Sequence, residues 1–134
     1  ALWGAALTAA GGVFDDTRAV AAPNVVQALA AGIDAVVRLG GAQPGDKTMV
    51  DAALPFREVL EAEFAATGDL AGSVKKAAAA AQEAAADTAD ITSRLGRSRI
   101  LGEKSLGTPD PGAHSFSVLM DALGDFLGSS SGTA

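Results

Sequence analysis

Apolar positions along this chain recur at intervals of three and four residues and never in a run of strict alternation, a pattern that predicts helices throughout. The clearest stripe is Val25, Val26, Leu29, Ile33, Val36 and Val37, in a helix expected from Pro23 to about Arg38. Pro23 suits its first turn, Gly40-Gly41 its end, and Pro44-Gly45 a turn beyond it. A further helix is predicted from about Lys47 to Ala66, with Val50, Leu54, Val59, Leu60 and Phe64 inward. Pro55 inside it should produce a kink, because proline removes one helical hydrogen bond. Gly68 closes this helix and Asp69 caps the next, which has the pattern to reach Leu95. There Leu70, Val74, Ala77, Ala81, Ala84, Thr88 and Ile91 alternate by four and three, a seam built mainly from alanine. With about three and a half heptads and Gly-rich ends, a bundle is preferred over a long coiled coil.

Two further helices bracket this middle. Ala1 to Val13 is apolar on nearly all sides, with Leu2, Trp3, Leu7 and Val13 among alanines, as in helices buried all round. The chain begins at Ala1 and not at Met, so the expectation is a fragment, with neighbours of this helix missing. Gly11-Gly12 weakens the helix, and Phe14 to Ala22 reads as a connection. A final helix from about Asp110 to Leu127 places Phe116, Leu119, Met120, Leu123 and Leu127 near one face. The Ser/Gly-rich tail, Gly128 to Ala134, is expected to be disordered.

Composition narrows this picture. Within 134 residues, 49% are hydrophobic but only 4% aromatic, so small side chains must fill much of the interior of one domain. That favours closely packed helices over a sheet. The formal charge of −6 and the lack of a basic stripe argue against nucleic acid. There is no cysteine, hence no disulfide or thiolate chemistry, which fits a cytoplasmic protein. No apolar run approaches the roughly 18 residues that span a bilayer. The charges of the alanine-rich helix oppose its dipole, with Lys75 and Lys76 early and Asp87 and Asp90 late. An Asp90–Arg94 pair one turn apart would soften that cost.

Candidate chemistry gathers in two Gly-rich stretches. In the first, Gly96 to Gly112, the last residues read as a helix start: Asp110 as N-cap, Pro111 at the first helical position and Gly112 in the first turn. A helix N-terminus offers unpaired N–H groups and a positive dipole end, which suit a phosphate, and Arg97, Arg99 and Lys104 lie just upstream. Arg97, a guanidinium following a glycine, is suited to bidentate phosphate contact. A structural loop with a good cap accounts for the same spacing. The second stretch, Gly40 to Met49, approaches a Walker A loop but fails it by one residue, since Asp46 separates Gly45 from Lys47. A helix, and not a strand, also precedes it. His114 is the single histidine, without clustered ligands for a metal, and reads as a partly exposed polar residue. Asp15-Asp16 reads as solvated, Glu103-Lys104 as a surface pair of little energetic value, and Ser129 to Ser131 as tail.

Taken together, the two stretches resemble the nucleotide-binding L subunit, or L domain, of dihydroxyacetone kinases. The resemblance rests on Gly40 with Pro44-Gly45-Asp46-Lys47-Thr48-Met49, and on Gly96-Arg97, Leu101-Gly102-Glu103-Lys104-Ser105-Leu106-Gly107 and Asp110-Pro111-Gly112-Ala113. It also takes in Leu2-Trp3-Gly4 and extends to Leu127, so residues 1–127 are expected to be the C-terminal part of such a domain. It implies an all-α fold, an antiparallel barrel of eight helices of which about five would be present. It implies ATP or ADP held at one rim. Gly40 and Thr48-Met49 would line the nucleotide site with Met49 beside the base, Arg97 would reach the phosphates, and Asp110-Pro111-Gly112 would close over the nucleotide. The family's Gly-Asp-x-Asp-His-Gly segment, whose carboxylates hold two magnesium ions, is not in this sequence, nor is the Gly/Ser-rich loop preceding its Leu-Trp-Gly helix. No catalytic residue and no metal ligand is therefore assigned here, and the chain alone is expected to be inactive. The implied partner is a K subunit or K domain carrying the hydroxyketone, with a phosphotransferase relay protein as a further partner in one branch of the family. Two rivals remain: a helical module binding lipid or another apolar ligand, and a structural interaction bundle with structural loops.

Overall fold

The computed structural model describes residues 2–14, 20–40, 48–90 and 108–131, and every regular element among them is helical. The all-α expectation holds. The chain divides into two compact units, Ala1–Gly41 and Ala42–Ala134.

The first unit pairs α1 (Leu2–Gly11) with α2 (Ala22–Gly40). α2 starts one residue before Pro23, whose missing N–H falls where a first-turn donor has no helical partner. Asn24 reaches back to accept the Ala21 N–H at 3.1 Å, closing that end. Ala28, Ile33, Ala35 and Val36 are buried, as the stripe predicts for Ile33 and Val36. The helices approach closely at Gly32, where a Cβ would stand 3.1 Å from the Ala6 carbonyl oxygen. Although apolar on nearly all sides, α1 is not buried all round here: Trp3 is 40% and Leu7 69% exposed. Only one face of α1 meets α2, so its apolar circumference exceeds what one partner helix covers.

The second unit contains α3 (Val50–Thr67), α4 (Leu70–Asp87), one 3-10 turn (Thr88–Asp90) and α5 (Pro111–Ser131). Gly68 takes the left-handed conformation (φ 69°) that most side chains disfavour, and its N–H bonds the Phe64 carbonyl at 2.8 Å. Asp69 follows at once as the cap of α4, accepting the Gly72 N–H at 3.2 Å. A connection this short makes α3 and α4 an antiparallel hairpin. α5 is antiparallel to α4 as well, because Lys75 near the start of α4 bonds Asp121 and Asp125 late in α5, whereas Thr88 after α4 bonds Asp110 before α5. The N-termini of α3 and α5 and the C-terminus of α4 therefore share one end.

The core of this unit is Val50, Phe56, Leu60 and Val74 around the fully buried alanines 52, 77, 78 and 81. Phe56 meets Phe116 edge to face, with ring centroids 5.4 Å apart at 89°. Phe56 lay outside the inward set expected for α3, while Leu54, Val59 and Phe64 are only half-buried. The true stripe runs through Ala53, Phe56 and Leu60, and the small side chain of Ala53 hid its period. On α4 the fully buried line passes through Ala78 and Ala85, and Ala84 is half-buried. On α5 Leu119 is exposed, not inward, because Ala113, Phe116, Ser117 and Gly124 define the packed face. α3 continues as one helix through Pro55. α5 runs past Leu127 to Ser131, so the expected tail is helical up to that point, as a helix already anchored on α4 extends at little nucleation cost. Residues beyond Asp90 at the end of α4 lie outside those described.

Charged groups tie the helices at the other end. Lys75 Nζ lies 2.7 Å from Asp121 and 2.8 Å from Asp125, and its aliphatic stem crosses Gly124, where a Cβ would come within 2.6 Å of Cδ. The hydrogen bonds to Asp121 and Asp125 raise the Lys75 pKa above 10.5. Lys76 pairs with Glu63 at 3.2 Å across the hairpin. The Ser73 hydroxyl nearby is buried without a hydrogen-bond partner among the described residues.

Phe56→Ala is expected to lower stability by about 3–5 kcal/mol in urea unfolding, because it removes the largest buried ring and leaves a cavity. The Lys75 cluster has a definite pH signature. A raised lysine pKa contributes stability fully below 10.5, and that contribution is lost as pH climbs through the folded-state value. The thermal stability difference between wild type and Lys75→Met should thus be constant through neutral pH and shrink only above 10.5.

Candidate functional site

At the shared end of the second unit, two helix starts are built by local hydrogen bonding. Thr48 Oγ1 accepts the Val50 N–H at 3.2 Å, and Asp51 Oδ2 accepts the Thr48 N–H at 3.0 Å. This reciprocal pair resembles a capping box with aspartate in the place of glutamate, just ahead of α3, which begins at Val50. The Met49 carbonyl then accepts the Ala52 and Ala53 amides at 3.1 and 3.0 Å.

α5 starts as the sequence predicts, with Asp110 as cap and Pro111 first in the helix. Asp110 Oδ2 accepts the Ala113 N–H at 2.8 Å, and its carbonyl accepts that of His114 at 3.0 Å. The Asp110 N–H donates to Thr88 Oγ1 at 2.7 Å, and Thr88 in turn donates to the Ala85 carbonyl at 2.5 Å. Asp110 is only 6% exposed and Thr88 not at all. Each carboxylate, Asp51 and Asp110, sits at the positive end of a helix dipole, where negative charge is favoured.

The two starts touch. A Cβ on Gly112 would lie 3.6 Å from both the Cβ and the N of Met49, and 3.1 Å from Asp110 Oδ2, so the glycine admits α5 closely against α3. Two helix N-termini, each a positive dipole end, thus lie side by side at one corner, a polarity that suits an anionic or carbonyl-like acceptor.

Of the residues singled out in the sequence, Thr48, Met49, Asp110, Pro111 and Gly112 come together here. Gly40 is the exposed last residue of α2 in the other unit. Arg97, with Glu103 and Lys104, lies outside the described residues, as do Asp15 and Asp16. His114 is exposed one turn into α5. Among the described residues no group of three or more His, Cys, Asp or Glu could hold a metal ion, so they do not fit a magnesium centre. Sequence reasoning missed Thr88 and Asp51. The Thr48-x-x-Asp51 spacing was a readable capping signal. A lone threonine in an alanine seam, at its C-terminal end, was a sign of hydroxyl-to-backbone bonding.

An all-α domain with these two helix starts side by side matches a known class. The model of the DAK2 domain covers residues 1–125, and the chain belongs to that family, the L-subunit-type domain of dihydroxyacetone kinases. It is 62% identical over 127 residues to the L-erythrulose 1-kinase of Mycolicibacterium smegmatis, covering 95% of this chain and 22% of that protein. It is 44% identical over 124 residues to the D-erythrulose kinase of the same organism, covering 92% and 21%. Over 92 residues it is 38% identical to the ADP-binding subunit DhaL of the PEP-dependent dihydroxyacetone kinase of Escherichia coli, covering 69% and 44%. The chain thus spans about a fifth of the length of these erythrulose kinases and less than half of the E. coli subunit.

Removing the α5 cap should be measurable by itself. Asp110→Ala is expected to cost about 1–2 kcal/mol in denaturant unfolding, and Asp110→Ser, which keeps a capping oxygen, clearly less.

Proposed function

We propose that this domain holds the nucleotide of a hydroxyketone kinase. It presents the terminal phosphoryl group of ATP, or of ADP recharged by a phosphotransferase relay, to dihydroxyacetone, erythrulose or a similar hydroxyketone on a K subunit or K domain. The observation that carries this reading is the junction of Met49 with Gly112, which joins two distant sequence motifs into one corner at two helix N-termini. The names of the relatives, kinases of erythrulose and an ADP-binding subunit, support the substrate class and the nucleotide.

In this reading Thr48 and Met49 form the edge beside the base, and Asp110-Pro111-Gly112 closes over the nucleotide. Gly40 is a further nucleotide-site residue that the family resemblance implies. Arg97 reaches the phosphates, and its planar guanidinium can engage two oxygens at once. Preorganised donors of this kind stabilise charge that develops on a transferring phosphoryl group. Magnesium, when bound, supplies charge neutralisation between the phosphates. The described residues offer it no ligand set, so its carboxylates belong to residues other than these. No helix among the described residues is long and apolar enough to cross a membrane, and the reading places the reaction in the cytoplasm, where ATP and ADP are available.

Calorimetric titration of the full-length protein with Mg·ADP tests the reading. Saturable binding is expected, and folded protein that takes up no ADP would overturn it. The 134-residue chain alone should bind at least about tenfold more weakly and transfer no phosphoryl group, because metal and phosphate contacts outside it contribute. Equal affinity would refute that division of labour.

A further inference from the structure

We infer that Thr88 is a positioning residue for the nucleotide corner: its buried hydroxyl hangs the start of α5 on the end of α4. The inference rests on the nucleotide-binding reading of that corner. Thr88 is itself anchored, since its backbone N–H bonds back to carbonyls of Ala84, Ala85 and Ala86. Its hydroxyl proton goes to the Ala85 carbonyl at 2.5 Å, which fixes the rotor and turns a lone pair toward the Asp110 N–H, 2.7 Å away. From Asp110 the connection continues through the cap bonds to Ala113 and His114, and so to the turn that sets Gly112 against Met49.

Every other fully buried position along the middle of this α4 seam is valine or alanine, apart from Ser73 at the opposite end. A hydroxyl at residue 88 is thus not needed to fill space. It supplies the one thing a methyl cannot, an acceptor for the backbone N–H of the buried Asp110. Without it, Asp110 gains by turning its amide toward water, which shifts the first turn of α5 away from Met49. Displacements of about 1 Å at a binding corner are enough to weaken ligand engagement strongly.

The test uses Thr88→Val, which keeps the β-branched shape and loses the hydroxyl, and Thr88→Ser, which restores the hydroxyl with less bulk, both in the full-length protein. Thr88→Val should raise the Kd for ADP and the KM for ATP at least about tenfold while leaving the hydroxyketone KM unchanged, and Thr88→Ser should stay within about threefold of wild type. Hydrogen exchange should quicken at the amides of Ala113 and His114 in Thr88→Val and stay unchanged around Phe56 and Leu60. Wild-type ADP affinity in Thr88→Val would overturn the inference, as would equal weakening by serine and valine, which would assign the effect to volume. Loss of protection around Phe56 together with α5, or failure to fold, would overturn it too, by assigning the hydroxyl to the core. Wild-type protein that binds no ADP removes the nucleotide reading and this inference with it; wild-type protein that binds while Thr88→Val binds equally removes this inference alone.

Discussion

The close approach that alanine permits along α4 is the constraint on which the second unit depends. Ala77, Ala78 and Ala81 are completely buried, and a methyl group brings little apolar area each. Such a seam holds only if the neighbouring backbones come near enough for many weak contacts to add up. The larger groups Phe56, Leu60 and Phe116 are buried as well, the two rings meeting where α3 and α5 pack. The same proximity lets the Lys75 stem lie over Gly124, and it puts the Thr88 hydroxyl within reach of a cap residue 22 positions later.

Proximity also determines what the other end can do. Parallel α3 and α5 bring two helix starts side by side, and each start satisfies part of its own donors with a carboxylate. The chain belongs to the DAK2 domain family, and one of its relatives is named as an ADP-binding subunit. Helix N-termini are a favoured place for phosphate-bearing ligands.

Much of this was legible in the sequence, and the misses share one cause. The α2 stripe, the Gly68 stop and the Asp69 and Asp110 caps were readable because each depends on local chemistry: periodicity, positive φ or a short acceptor. Phe56 and Leu119 were misplaced because the inward face of a helix is set by its partners, and an alanine-rich partner leaves no strong periodic mark. Thr88 was read as part of the seam; its position is right, but its hydroxyl matters through a residue that only the tertiary fold brings near. Met49 and Gly112 were paired through a family resemblance, since neither residue type signals contact with the other. Arg97 and Gly40, drawn from the same resemblance, remain parts of the proposed site and not of the corner that the structure assembles.

The antiparallel hairpin gives the second unit two unlike poles. One carries the helix starts and the Thr88 bridge. The other carries the Gly68 turn, the Lys75 clamp and the unpartnered Ser73 hydroxyl. Substitutions at the second pole change only how firmly the hairpin is clamped, whereas those at the first also change how the two helix starts face each other. The length of one helix separates the two kinds of effect.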